Sequence, residues 1–219
     1  MPGRLTPLIT NETYHIFNRG ANKQDIFLLQ RDYKRFLQTT SYYYIEGPKP
    51  KFSKFTHGTL LPIKLSDKKK IVKIFSYCLM PNHFHLLVQQ LQDGGISKFV
   101  GQLSNSYVKY FNTKHRKIGP LFQGRFKAVR VESEDQFLHV SRYIHLNPIV
   151  SHLTKSLGEY PWSSYQDFMI GNSKLCEVSE ILSFFSNSSK KYKSFLEDQI
   201  SYGETLERIK HQLLDMEEF

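Results

Sequence analysis

Cysteine is nearly absent from this 219-residue chain: Cys78 and Cys176 stand alone, without CxxC or metal spacing and without partners for a disulfide framework. No apolar run approaches the length that crosses a bilayer, and Met1-Pro2-Gly3-Arg4 opens without a signal peptide's apolar stretch. Acid is in deficit, with 20 Asp and Glu against 30 Lys and Arg, a formal charge of +10. Neither a disulfide-stapled secreted domain nor a membrane protein is therefore expected. The expectation is a cytoplasmic, nucleoid-associated protein whose charge suits a polyanion, nucleic acid first, although the same charge would serve solubility. A 40% hydrophobic and 14% aromatic composition is enough for a core.

Patterning gives the order of elements. Thr13-Tyr14-His15-Ile16-Phe17-Asn18 alternates, is rich in β-formers and stops at Arg19-Gly20, which predicts a strand. From Asp25 to about Tyr44, Phe27, Leu28, Phe36 and Leu37 recur at helical spacing among basic residues. Residues 46–70, with Pro48, Pro50, Pro62 and many lysines, predict a long loop or weak hairpin pairing within 59–63. Strands two and three are expected at 71–79 and 83–89, joined by a Met80-Pro81-Asn82 hairpin turn. Gly94-Gly95 precedes a helix over 96–114, and basic and apolar residues intermix over 125–131 as a fourth strand. Ser133-Glu134-Asp135-Gln136 has capping-box form and opens a further helix, which Pro148 should close.

The order β-α-β-β-α-β predicts an α+β, ferredoxin-like fold: one antiparallel sheet, helices on one face, strands one and three central. The expected division is a domain over 1–158 and a helical C-terminal extension over 159–219. In the extension, 187–191 reads as a linker and 204–218 as a final helix.

His83 and His85 bracket Phe84 on the third strand, so both imidazoles share one face while Phe84 and Leu86 point into a core. Two neutral imidazoles suit a divalent metal, but alone they do not make a tight site, and incidental surface histidines are the competing reading. His139, Tyr143 and Asn147 follow at i, i+4, i+8 on the later helix, beside an apolar face of Phe137, Val140 and Ile144. Taken singly, Tyr143 reads as a core tyrosine with a wet hydroxyl, and Asn147 as a C-cap before Pro148.

Five segments in order, YHIFNRG, MPNHFHLL, LFQGRF, YIHLNP and YPWSSY, resemble the single-tyrosine HUH transposases, and within them the REP-associated tyrosine transposases. The likeness covers roughly residues 10–170. It implies the HUH endonuclease type of fold, a divalent metal (Mg²⁺ or Mn²⁺) on His83 and His85, Tyr143 as nucleophile, and Asn147 as third ligand. Phe84 is hydrophobic, as the pattern asks. The lysine-rich stretch at 48–70 is long for the group, and His139 and His145 carry no family role; surface or packing histidines is their reading.

The implied activity is metal-dependent nicking and rejoining of single-stranded DNA near hairpins through a 5′-phosphotyrosine. An ordinary phenol is protonated at neutral pH and needs a base or a cation's field to attack. Arg19, Lys23, Arg125, Lys127 and Arg130 are candidate DNA-backbone contacts. Tyr14, Phe17, Phe122 and Phe126 are candidates for stacking bases, although Phe17 and Phe126 read first as core. Trp162 reads as an anchor of the C-terminal segment. Rival readings are a non-cleaving relative that binds structured DNA or RNA, and a rolling-circle initiator or relaxase of the same chemistry. The partner is single-stranded or hairpin DNA, the protein a monomer or homodimer.

Overall fold

Alternating side chains over Thr13–Arg19 build β1, with Tyr14, Ile16 and Asn18 buried and Thr13, His15, Phe17 and Arg19 half-buried on the other face. The structure is a computed structural model that describes residues 7–47, Phe52 and residues 69–200. The hairpin expected within 59–63 and the helix expected at 204–218 lie outside the described residues. Further along come α1 (Gln30–Tyr43), β2 (Val72–Met80), β3 (His83–Gln90), α2 (Gly95–His115), β4 (Lys127–Val131) and α3 (Glu134–Val150). Three short helices follow: α4 (Tyr165–Ile170), α5 (Val178–Leu182) and α6 (Ser189–Glu197).

The four strands form one sheet in the order β2-β3-β1-β4, with β3 and β1 central. β1 and β4 are antiparallel, in a register that sets Phe17 opposite Lys127 and His15 opposite Val129. The α+β, ferredoxin-like architecture is therefore as expected. Two compact units are present: Met1–Lys73 with Pro81–Phe84 and Val88–Val131, and Ile74–Met80 with His85–Leu87 and Glu132–Phe219.

The first unit holds α1 and α2 together through aromatic rings. Phe36 meets Tyr107 edge to face at 5.1 Å and Phe84 at 5.0 Å, all three essentially without exposure. Burial of each such ring contributes about 2 kcal/mol. The helix starts five residues later than its periodicity suggests. Ile26 and Phe27 donate their backbone N–H groups to the Pro81 carbonyl (2.8 and 3.0 Å), holding 25–29 in a loop under the hairpin turn. The buried Asp32 carboxylate accepts from the N–H groups of Leu28 and Leu29 (3.0 and 2.9 Å), capping α1 from inside its first turn. The ends of the basic excursion are joined by an antiparallel bridge between Ile45 and Lys70.

Three of the recognised segments meet in this unit. The Gly20 N–H donates to the Asn82 carbonyl (2.8 Å), and the Ala21 N–H to the Leu121 carbonyl (2.9 Å). A Cβ on Gly20 would lie 2.0 Å from the Gln24 carbonyl oxygen, so the glycine closing YHIFNRG is a steric necessity. Asn18 donates to the Gly124 carbonyl of LFQGRF at 3.1 Å. β4 begins at Lys127 rather than 125, and Phe17 and Phe126 are half-buried rather than core. Tyr14 and Phe122, by contrast, are buried.

In the second unit, YPWSSY runs along β2. Leu79 donates its N–H to the Trp162 carbonyl (2.9 Å), Ser164 donates its own to the Tyr77 carbonyl (3.0 Å), and the Tyr160 hydroxyl reaches the Leu79 carbonyl (2.6 Å). The Trp162 main chain and the side chains of Tyr160 and Ser164 thus fix this segment. The expected linker at 187–191 is instead the start of α6, with Ser188 Oγ as cap for the Lys191 N–H. α3 does open at Ser133, whose hydroxyl accepts from the Gln136 N–H at 3.1 Å. Pro148 does not close it. The helix runs on to Val150, because a proline in the last turn forfeits a single bond and the Pro148 carbonyl still accepts from Leu153 at 2.9 Å.

Candidate active site

β3 sends adjacent side chains to opposite sides. Phe84 packs on Phe36 in the first unit, while His85, 5% exposed, turns the other way. Its imidazole meets the ring of Tyr143 on α3 edge to face, with 5.4 Å between centroids and 84° between planes. Tyr143 is 43% exposed, so the phenol is at once tethered beside the imidazole and open to a large substrate.

Asn147, one turn later on α3, is 8% exposed and donates Nδ2–H to the Tyr143 carbonyl at 2.9 Å. With its nitrogen tied to the helix, the carboxamide oxygen is the end left to act as a ligand. It sits inside the helix; the cap is Ser151, so the C-cap reading of Asn147 does not hold. His85, Tyr143 and Asn147 belong to one unit.

His83 stands two residues before His85 on the same strand, half-buried, with Nδ1 2.6 Å from Asn82 Oδ1. The amide oxygen accepts only from the Nδ1–H tautomer, which leaves the lone pair on Nε2, the form in which histidine binds metals. Asn82 Nδ2 in turn donates to the Lys23 carbonyl at 3.3 Å, orienting the carboxamide. The sequence reading took Asn82 for a turn residue alone; its place directly before a candidate ligand was the available signal. Among the described residues, no three His, Cys, Asp or Glu side chains gather as a metal cluster. Two imidazoles and one amide oxygen, the ligand types expected from the sequence, suit a divalent cation with open positions. His83 lies in the first unit, and His85 and Asn147 lie in the second.

Three other histidines, His139, His145 and His15, separate clearly. His139 is a surface residue 3.5 Å from Asp135, and Arg142 donates to its Nδ1 at 2.5 Å. His145 is 1% exposed and hydrogen-bonded on both ring nitrogens, and burial brings its pKa down to about 3, so the ring is neutral. His15 is likewise lowered to about 4 by burial and lies 5.0 Å from the Phe17 ring.

All five candidate DNA contacts fall in the first unit. Lys23, Arg125 and Lys127 are exposed, and Arg19 is half-buried at the end of β1. Arg130 makes a two-pronged pair with Glu12, at 2.9 and 3.2 Å, so part of its guanidinium is engaged within the protein. Among the described residues no helix is long and apolar enough to cross a membrane.

Residues 62–147 match the family model described as IS200-like transposase. Among solved structures, the chain superposes on a REP-associated tyrosine transposase bound to a REP hairpin with a TM-score of 0.52 and 16% identity, over 81% of this chain and 90% of that one. A candidate transposase from Deinococcus radiodurans R1 superposes with a TM-score of 0.38 and 15% identity, over 66% of this chain and 95% of that one. No curated protein matches the chain. At 16% identity the first likeness speaks for the fold, while the family match spans the histidine pair, Tyr143 and Asn147. Residues 62–147 are thus similar to the IS200-like transposases, and the chain shares its fold with a REP-associated tyrosine transposase.

Proposed function

We propose that the protein is a DNA strand transferase that cuts and rejoins single-stranded DNA beside a hairpin, with Tyr143 as nucleophile. The observation that carries the reading is the exposed phenol of Tyr143 held against buried His85, one helical turn before Asn147. The hairpin-bound state of the structural neighbour supports a hairpin as the DNA form recognised.

In the cleavage step, Tyr143 Oη forms a bond to the scissile phosphorus as the bond to the 3′-oxygen breaks. The phenolic proton leaves to water or base, and the 3′-oxygen departs as a hydroxyl. The 5′-phosphotyrosine retains the energy of the broken phosphodiester, so the 3′-hydroxyl of a second strand can attack it and release Tyr143 without a nucleotide cofactor. His83, His85 and the Asn147 oxygen would hold a divalent cation, Mg²⁺ or Mn²⁺. When bound, it supplies charge neutralisation at the phosphoryl oxygens and at the leaving oxygen. The Asn82 bond keeps His83 in the ligand tautomer, and the Tyr143 carbonyl does the same for the Asn147 amide orientation. The exposure and charge of Lys23, Arg125 and Lys127 support a role in contacting the DNA backbone, with Arg19 and Arg130 as further candidates.

The test is incubation of the full chain with Mn²⁺ and a hairpin-bearing single strand, with and without chelator. Cleavage that needs both the cation and Tyr143 supports the proposal. Hairpin binding indifferent to chelation, with no cleavage under any metal, would instead mark a non-cleaving binding protein.

A further inference from the structure

The segment Tyr143-Ile144-His145-Leu146-Asn147-Pro148 contains one polar side chain that the proposed chemistry leaves unused. His145 Nε2 lies 2.7 Å from Ser164 Oγ, and Nδ1 lies 2.8 Å from Tyr192 Oη. Ser164 Oγ accepts from the Tyr77 N–H of β2 at 2.9 Å, and Tyr192 Oη lies 2.6 Å from Ser141 Oγ, back on α3. Ser141, His145, Ser164 and Tyr192 are all essentially without exposure. With the proton on Nδ1, the ring donates to Tyr192, which donates to Ser141, and Ser164 donates to Nε2. With the proton on Nε2, the ring donates to Ser164, which donates to the Tyr77 carbonyl (3.3 Å), and Tyr192 donates to Nδ1. Both ring nitrogens are satisfied in either tautomer. The network is sealed from substrate, which rules out a hydrolytic triad despite its serine and histidine.

Positions 143 and 145 lie on opposite sides of the helix, two residues apart at about 100° each. We propose that His145 is a positioning residue for strand cleavage: the bridge from Ser164 to Tyr192 fixes the rotation of α3 about its axis and so holds the Tyr143 phenol edge-on to His85. A turn of roughly 10° at the outer radius of a helix moves a side chain by about 1 Å. A displacement of that size in a reacting group costs on the order of 100-fold in rate. The bridge ties YIHLNP to YPWSSY within this chain: Ser164 of the second segment is the partner of His145 in the first. The inference rests on Tyr143 being the nucleophile only for its consequence in rate, not for its geometry.

The experiment uses the full chain with Mn²⁺ and a hairpin-bearing single strand, in two readouts. One is the single-turnover rate of covalent adduct formation as a function of DNA concentration. The other is the ¹⁹F resonance of 3-fluorotyrosine placed at position 143. For His145→Phe, which keeps the ring and loses both bonds, the rate at saturating DNA should fall about 30- to 100-fold while half-saturation moves less than about twofold. His145→Gln, able to reach one partner, should recover part of the rate, and the fluorine line should shift or broaden in His145→Phe. If His145→Phe does not fold, Ser164→Ala and Tyr192→Phe, each lacking one bond, carry the same test with smaller losses. A folded variant with unchanged rate, a loss confined to half-saturation, or an unmoved fluorine line would overturn the proposal. If the wild type forms no adduct, the nucleophile reading fails separately, and the fluorine line alone decides the positioning.

Discussion

The imidazole of His85 and the phenol ring of Tyr143 meet edge to face, 5.4 Å between centroids, although 58 residues separate them in sequence. An edge-to-face contact is worth about 1 kcal/mol beyond the area it buries. That is modest, and its value here is orientation: the buried ring is a wall against which the exposed phenol is set. The same helix presents Asn147 one turn on, its amide nitrogen bound to the Tyr143 carbonyl. Candidate nucleophile and candidate ligand are thus set by one helix.

Asn82 should matter to cation binding without touching the cation. Its oxygen fixes the His83 tautomer, and loss of such an outer partner typically weakens metal affinity about 10- to 100-fold. For Asn82→Ala, the Mn²⁺ concentration giving half-maximal cleavage should rise by that factor while hairpin affinity measured in chelator stays unchanged. An unchanged Mn²⁺ dependence would remove the tautomer argument.

Asp32 should prove a stability residue. Its buried carboxylate serves the N–H groups of Leu28 and Leu29, the Tyr110 hydroxyl at 2.9 Å and His115 Nε2 at 3.0 Å, linking α1 to α2. Asp32→Ala strands all four partners at once and should cost about 3 kcal/mol, which for a chain of this size is roughly 6–12 °C in Tm. Thermal unfolding of the two proteins reads this directly; a fall below about 1 kcal/mol would show that water replaces the carboxylate.

His145 should make the protein acid-sensitive. Its folded pKa, about 3, lies below the 6.5 of an unfolded histidine, so the unfolded chain binds the proton more readily. The stability tied to this group is therefore complete above pH 6.5 and is lost progressively as pH falls from there toward 3. Between pH 6.5 and 4.5 the wild type should lose about 2 kcal/mol more than a folded His145→Phe protein, which lacks the titrating ring. Urea unfolding at both pH values measures the difference; parallel losses would mean that His145 is reached by protons in the folded state.

Much of the fold was legible because alternation and helical spacing survive in single segments: Thr13–Arg19, the hairpin around Pro81-Asn82, and α3 opened by Ser133. What periodicity could not show was tertiary. Residues 25–29 match a helical pattern, but the N–H groups of Ile26 and Phe27 go to the Pro81 carbonyl instead. Pro148 looked like a stop because only its own missing donor is visible in sequence, not the carbonyls picked up beyond it. Phe17 read as core because an aromatic on a central strand usually is; it lies on the half-covered face, opposite Lys127. For the candidate site, the shared face of His83 and His85 followed from strand spacing and the shared stripe of Tyr143 and Asn147 from helical spacing, while their roles came only with the resemblance. The tie between His145 and Tyr192 spans 47 residues and has no periodic trace. Only folding brings it together.

The central claim is tested most directly by peptide mass spectrometry of the protein after reaction with Mn²⁺ and a hairpin-bearing single strand. The 5′-phosphorylated DNA end should be attached at Tyr143, and Tyr143→Phe, which keeps the ring against His85, should form no adduct while still binding the hairpin. An adduct mapped to another residue, or full cleavage by Tyr143→Phe, would contradict it.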